Sequence, residues 1–109
     1  MNFKDVNNIL NLENTPDWGI INANPDRVEE FIQFLTQNPN LDKSIKFEFV
    51  ELIIASMNEA ILKGSTDLNT EKVFLQYIDE IKSDNYYVSS LDYWKSLTKI
   101  SEYPVSKLL

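Results

Sequence analysis

An all-α fold is predicted by this sequence: a compact bundle of about five helices around a long central helix, one domain over residues 1–109. Three observations predict it. Only two glycines and four prolines occur, too few for the many tight turns of a sandwich or barrel. Apolar residues return at i, i+3, i+4 and i+7 in segment after segment. Residues that start and stop helices fall between those segments. The content of 43% hydrophobic and 25% charged residues is that of an ordinary globular chain, long enough to bury one core without staples.

The elements follow in order. Phe3 to Leu12 places Phe3, Val6, Ile9 and Leu10 at helical spacing, and its asparagines keep that helix short. Thr15 and Pro16 break it. The run WGIINANP then reads as a connecting loop that docks Trp18 and the Ile20/Ile21 pair onto the core. A second helix is predicted from Asn24-Pro25, because asparagine caps free amides and proline suits the first turn. Asp26, Glu29 and Glu30 complement its dipole, Val28, Phe31, Ile32 and Leu35 form its inward stripe, and Asn38 and Pro39 end it.

Asp42 or Ser44 opens the longest helix, which runs to Gly64, a residue suited to the left-handed position after a helix end. Ile45, Phe49, Leu52, Ile53, Met57, Ala60 and Ile61 make one broad face, and Phe47, Val50 and Ile54 extend it. Such breadth marks a central helix with several neighbours, leaving Glu48, Glu51, Asn58 and Glu59 for a narrow exposed side. Asp67 or Asn69 caps a fourth helix, with Val73, Phe74, Tyr77, Ile78 and Ile81 inward, that runs out at residues 83–85. A fifth is predicted from Val88 or Ser90 to Ile100, burying Leu91, Trp94 and Leu97. Pro104 begins a final turn whose Leu108 and Leu109 suit packing internally or against a second copy. FIQFL at 31–35 and FLQYI at 74–78 echo each other 43 residues apart, a period found in HEAT-like helical hairpins. The same shift lays Phe49 on Asp92 and Ile53 on Ser96, so the register stops at those five positions.

Composition excludes several kinds of function. A net charge of −7, with Arg27 the only arginine, opposes binding to nucleic acid or to an anionic membrane. Cysteine is absent, which removes disulfides and thiol chemistry and is compatible with a reducing compartment, so a cytoplasmic location is expected. The segment MNFKDVNNILNLENTPDWG has no basic region followed by an apolar run, and is not expected to be a secretory signal. FEFVELIIASMNEAIL is interrupted by Glu48, Glu51 and Glu59 and reads as a core helix rather than a membrane span.

With neither histidine nor cysteine, the commonest general base and the commonest metal ligands are missing, and no catalytic activity, metal or cofactor is expected. Glu48 and Glu51 share a helix face, but acids three apart on such a face are ordinarily solvated. The stretch from Asp67 begins like a calcium loop, yet Lys72 stands where the turn needs glycine and Ile78 where it needs a bidentate acid. Gly19 and Gly64 stand alone and form no phosphate cradle.

Surface recognition remains. The stretch DEIKSDNYYVSSLDYW, residues 79–94, offers Asp79, Glu80, Asp84, Tyr86, Tyr87 and Asp92. Acids there would steer a basic partner and exposed rings would anchor it. The segment from Glu13 to Glu30 sets five acids against Arg27, adding Asp17, Asp26, Glu29 and Glu30 as candidates.

The run DNYYVSSLDYW, preceded by FEFVELIIASMNEA, is similar to the colicin nuclease immunity proteins, small acidic helical proteins in which a tyrosine pair and helix-borne acids grip the toxin. That resemblance implies Tyr86 and Tyr87 as the pair and Glu48, Glu51 and Glu59 as specificity acids. Val88 stands where that family carries proline, and the preceding His-Pro is missing. Through W-G at residue 18, LIIASMNEAI and YWKSLTKISEYPVSKLL, the chain also resembles small helical immunity proteins of polymorphic and contact-dependent growth-inhibition toxin systems. This likeness implies a cognate toxin domain as partner and no activity of its own. Composition also fits another acidic helical interaction module, such as an adaptor, an anti-restriction inhibitor or a DNA mimic. The last would space carboxylates like phosphates along one face, and no such regular row is present.

Overall fold

A computed structural model describes residues 1–109 and is all-helical, without strands. In chain order the helices are α1 (Phe3–Leu10), α2 (Trp18–Ile21), α3 (Val28–Gln37), α4 (Lys43–Lys63), α5 (Leu68–Lys82) and α6 (Val88–Ser96). Tighter 3-10 turns occupy Asn85–Tyr87 and Pro104–Leu108. The bundle forms around α4, against which α2, α3 and both 3-10 turns pack. Every residue from Leu52 to Asn58 is buried, so α4 has no wet face along that stretch.

Asn58 is therefore not on an exposed side, as its polarity suggests, but is a buried latch. Its Nδ2 donates to the Glu102 carbonyl at 2.9 Å and its Oδ1 accepts from the Val105 N–H at 3.2 Å. These bonds hold the C-terminal turn so that Val105 is fully buried. Of the two arrangements open to the tail, it packs back on its own core, and α6 stops at Ser96, four residues before Ile100. A chain continuing as helix would not bring Val105 back over Asn58.

Local chemistry sets the other boundaries. Asn2 and Asp5 form a reciprocal capping box at 3.0 and 3.1 Å, and Asn11, in the left-handed region at φ 56°, ends α1 before Leu12. Val6 and Leu10 point inward, whereas Ile9 is exposed, because α1 buries only one narrow stripe. The helix expected from Asn24-Pro25 begins instead at Val28. Asn24 Oδ1 accepts the Asp26 N–H at 2.9 Å and its carbonyl accepts the Arg27 N–H at 3.1 Å, which closes a turn ahead of the helix. The Asn24 N–H meanwhile donates to Ser56 Oγ at 3.0 Å, tying that turn to α4. Gly64, at φ 68°, ends α4, and Asp67 caps α5 by accepting the Thr70 N–H at 2.7 Å.

The region read as a loop around Trp18 contains the single turn of α2. Trp18 packs on Phe3 and Phe49 with ring centroids 5.4 and 5.3 Å away, and its Nε1 donates to Asn7 Oδ1 at 2.7 Å. An indole only donates, so Asn7 must turn its oxygen to it, and Asn7 Nδ2 is left buried without a partner. Ile20 and Ile21 do not dock with Trp18; both are exposed. A four-residue helix presents one face, and Trp18 and Gly19 occupy it. Asn22 closes the preceding loop, accepting the Glu13 N–H at 2.9 Å and donating to the carbonyls of Glu13 and Trp18.

The FIQFL and FLQYI segments lie on α3 and α5, which pack together. Phe31 and Phe74 are fully buried, Phe34 and Tyr77 are buried, and Gln33 and Gln76 face water. The echo thus coincides with matching burial at its aromatic and glutamine positions, whereas Ile32 is buried where Leu75 is half-buried and Ile78 is buried where Leu35 is half-buried. No helix is long and apolar enough to cross a membrane.

Two substitutions test this framework by urea denaturation. A Cβ at Gly19 would lie 2.9 Å from Glu51 Cβ, Glu51 Cγ and the Leu52 nitrogen. Gly19→Ala is expected to cost about 1–3 kcal/mol, since backbone must move to admit it. Asn58→Ala is expected to cost about 1–3 kcal/mol, because it orphans the Val105 N–H and the Glu102 carbonyl. Unchanged midpoints would rule out the close α2/α4 approach or the latch respectively.

Candidate recognition surface

The residues singled out between Asp79 and Asp92 separate into distinct roles. Asp84 caps the 3-10 turn by accepting the Tyr86 N–H at 2.9 Å and pairs with Lys43 at 3.3 Å. The Tyr86 N–H, then Lys43, hold its carboxyl below the usual range. The Lys43 ammonium also lies 5.2 Å from the centre of the Tyr86 ring, on the exposed side of the turn.

The tyrosine pair is divided by this turn. Tyr86 is 44% exposed and Tyr87 only 7%, so the expectation that both rings form a free gripping pair is corrected. Tyr86 meets Phe47 and Tyr87 edge-on at 5.6 and 5.3 Å, while Tyr87 stacks on Phe47 at 6.5 Å. In a 3-10 turn, consecutive side chains project in different directions, so one ring of an adjacent pair goes inward when the other goes out. Asp79 and Glu80 are exposed on α5 without an ion-pair partner, and Asp92 is exposed on α6.

Beside Tyr87 lies a recess of about 550 Å³ between α3 and α5. Ile32 and Leu35 of α3 face Val73, Tyr77 and Ile81 of α5, giving it apolar walls. Thr36, Gln76 and Ser83 add polar rim, and Glu80, Asp84 and Lys46 add charge. Lys46 donates to the Pro39 carbonyl at 2.6 Å. Burial, then Tyr87 and Glu80, push the Tyr77 phenol far above its ordinary range. Burial, then Asp84 and Tyr86, raise that of Tyr87. Both phenols keep their protons at neutral pH. Tyr77 was legible as part of the inward stripe but not as a site residue; its signal was a hydroxyl at a position where phenylalanine would fill the same space.

The remaining candidates lie elsewhere. Burial, then Glu48 and Asp17, raise the pKa of Glu51, whose stem lies directly against Gly19 of α2. Glu29 is occupied, accepting from Asn69 Nδ2 at 2.9 Å and from the Thr70 hydroxyl at 2.7 Å, so it links α3 to the start of α5. Glu30 forms a double hydrogen bond with Arg27, each at 2.8 Å. Arg27 also donates to the Leu10 carbonyl and covers the Phe31 ring, so this pair joins α1 to α3. Asp26 and Glu59 are exposed.

Glu51 predicts a pH response with a definite sign. Its folded-state pKa lies above the ordinary value of 4.5, so the ionised carboxylate disfavours the fold at neutral pH. That penalty is relieved as pH falls through the folded value and stays relieved below the unfolded one. Glu51→Gln is expected to be more stable than the parent at neutral pH, the difference shrinking toward about pH 4.5. Parallel urea curves across that range check it, and a pH-independent difference would refute it. Comparison with protein-family models, with curated proteins and with solved structures finds no match to this chain.

Proposed function

We propose that this chain is a cytoplasmic immunity protein that binds a cognate toxin domain and neutralises it by covering its active or substrate-binding surface. The observation that carries the reading is the end of α5, where Asp79 and Glu80 stand unpaired beside an apolar recess and the exposed Tyr86 ring. Free carboxylates attract a cationic surface over a distance, and a desolvated ring or recess then supplies short-range energy. The net charge of −7 acts in the same direction. A nuclease is the favoured toxin class, because a surface that grips phosphates is positive. In this reading the chain inhibits by occupancy and has no catalytic role.

The placement of the acids disfavours the DNA-mimic alternative. Glu29 and Glu30 are engaged within the bundle, and Glu51 is pressed against Gly19 of α2. Phosphate mimicry would need one continuous row.

Co-expression with the toxin domain encoded beside this chain tests the reading. Growth rescue is expected, with association slowing as salt rises. The double change Asp79→Lys, Glu80→Lys is expected to slow association about tenfold or more at low salt. Killing unaffected by co-expression would end the proposal. Rescue by a complex with a salt-insensitive on-rate would remove its electrostatic basis.

A further inference from the structure

We infer that the α3/α5 recess is a docking pocket for a partner segment that carries an apolar side chain next to a lysine or arginine. The identity of that partner rests on the toxin reading above; the chemistry of the pocket does not. Tyr77 and Tyr87 are 6% and 7% exposed, and both line the recess. Neither hydroxyl hydrogen-bonds within the chain, and neither is sealed from water, since the one sealed and unpartnered side-chain atom is Asn7 Nδ2. Water reaches and satisfies both in the free chain, and a partner's donor that displaces it into the recess finds two phenol oxygens able to accept.

The rest of the lining says which groups. Leu35 and Val73 are only half-buried and offer apolar contact on opposite walls. Asp84 is held by Lys43 and Lys46 by the Pro39 carbonyl, so Glu80 is the lining charge left without a partner. An incoming ammonium or guanidinium therefore meets Glu80, with a tyrosine oxygen as second acceptor, while its neighbouring apolar side chain enters between the helices. The recess volume is within the range of sites that enclose a few side chains.

2-Phenylethylamine carries this chemistry in one small molecule and permits a test without any toxin. Titrated into the labelled protein and followed by amide chemical shifts, it is expected to perturb Leu35, Val73, Gln76 and Tyr77, with a dissociation constant on the order of millimolar. 2-Phenylethanol, which lacks the charge, is expected to bind about tenfold more weakly. Glu80→Gln should abolish that difference, and Tyr77→Phe, which keeps the ring, should weaken the amine about threefold or more. Glu59→Gln should change nothing. Shifts that scatter over the surface, or affinities indifferent to both variants, overturn the pocket. In complex with the co-encoded toxin domain, Glu80→Gln and Tyr77→Phe are each expected to speed dissociation at least about fivefold. A toxin complex that leaves the recess amides unperturbed overturns the docking role while the immunity reading survives. Absence of a toxin complex, with the amine still bound in the recess, ends the toxin reading alone. Self-association through the recess, seen as concentration-dependent sedimentation lost in Val73→Glu, would assign the pocket to a second copy and overturn the basic-partner assignment.

Discussion

A helix with no wet face must be enclosed, and the burial of α4 between Leu52 and Asn58 imposes that demand on the whole chain. Helices alone do not meet it. The gaps around α4 are closed by the single turn of α2, by the Asn24 turn and by the C-terminal 3-10 turn. Two buried polar side chains fix where the irregular pieces land: Ser56 takes the Asn24 N–H, and Asn58 takes the Val105 N–H and donates to Glu102. A polar group inside a core is tolerable when it is bonded, and here the bonds also set the register of segments that have no periodicity of their own.

Much of this was legible in the sequence. Gly64 and Asp67 marked the α4/α5 junction because a left-handed residue and a capping carboxylate act within one turn of chain. The inward stripes of α3 and α5 were legible because burial on one side of a helix leaves a period. What stayed hidden depends on partners remote in sequence. Asn58 reads as exposed until Val105, 47 positions later, needs an acceptor. Ile20 and Ile21 read as core until Gly19 is seen to take the face nearest α4. Tyr86 and Tyr87 read as a pair until the 3-10 turn divides them. The start of α3 moved because Asn24 caps its own turn rather than the helix.

The acids show the same division between composition and placement. Their number predicts a negative molecule, but the fold decides which charges remain free. Glu30 and Glu29 spend their hydrogen-bonding capacity on Arg27, Asn69 and Thr70, and so tie α1, α3 and α5 together. Glu51 is pressed against α2 and resists ionisation. Asp79 and Glu80 on α5 have neither duty, and Asp26, Glu59 and Asp92 are likewise exposed and unpaired. Function read from an acidic sequence therefore depends on subtracting the carboxylates already used to hold the bundle together.

The placement of the two tryptophans gives the molecule a built-in optical division. Trp18, against Phe3 and Phe49 and bonded to Asn7, emits from the junction of α1, α2 and α4. Trp94, beside Tyr93 and Tyr103, emits from the junction of α6 with the returning tail. Both are shielded from water, so opening either junction moves the emission of its own indole toward the red. With one of them replaced by phenylalanine, the remaining fluorescence reports whether the N-terminal clamp or the C-terminal strap lets go first.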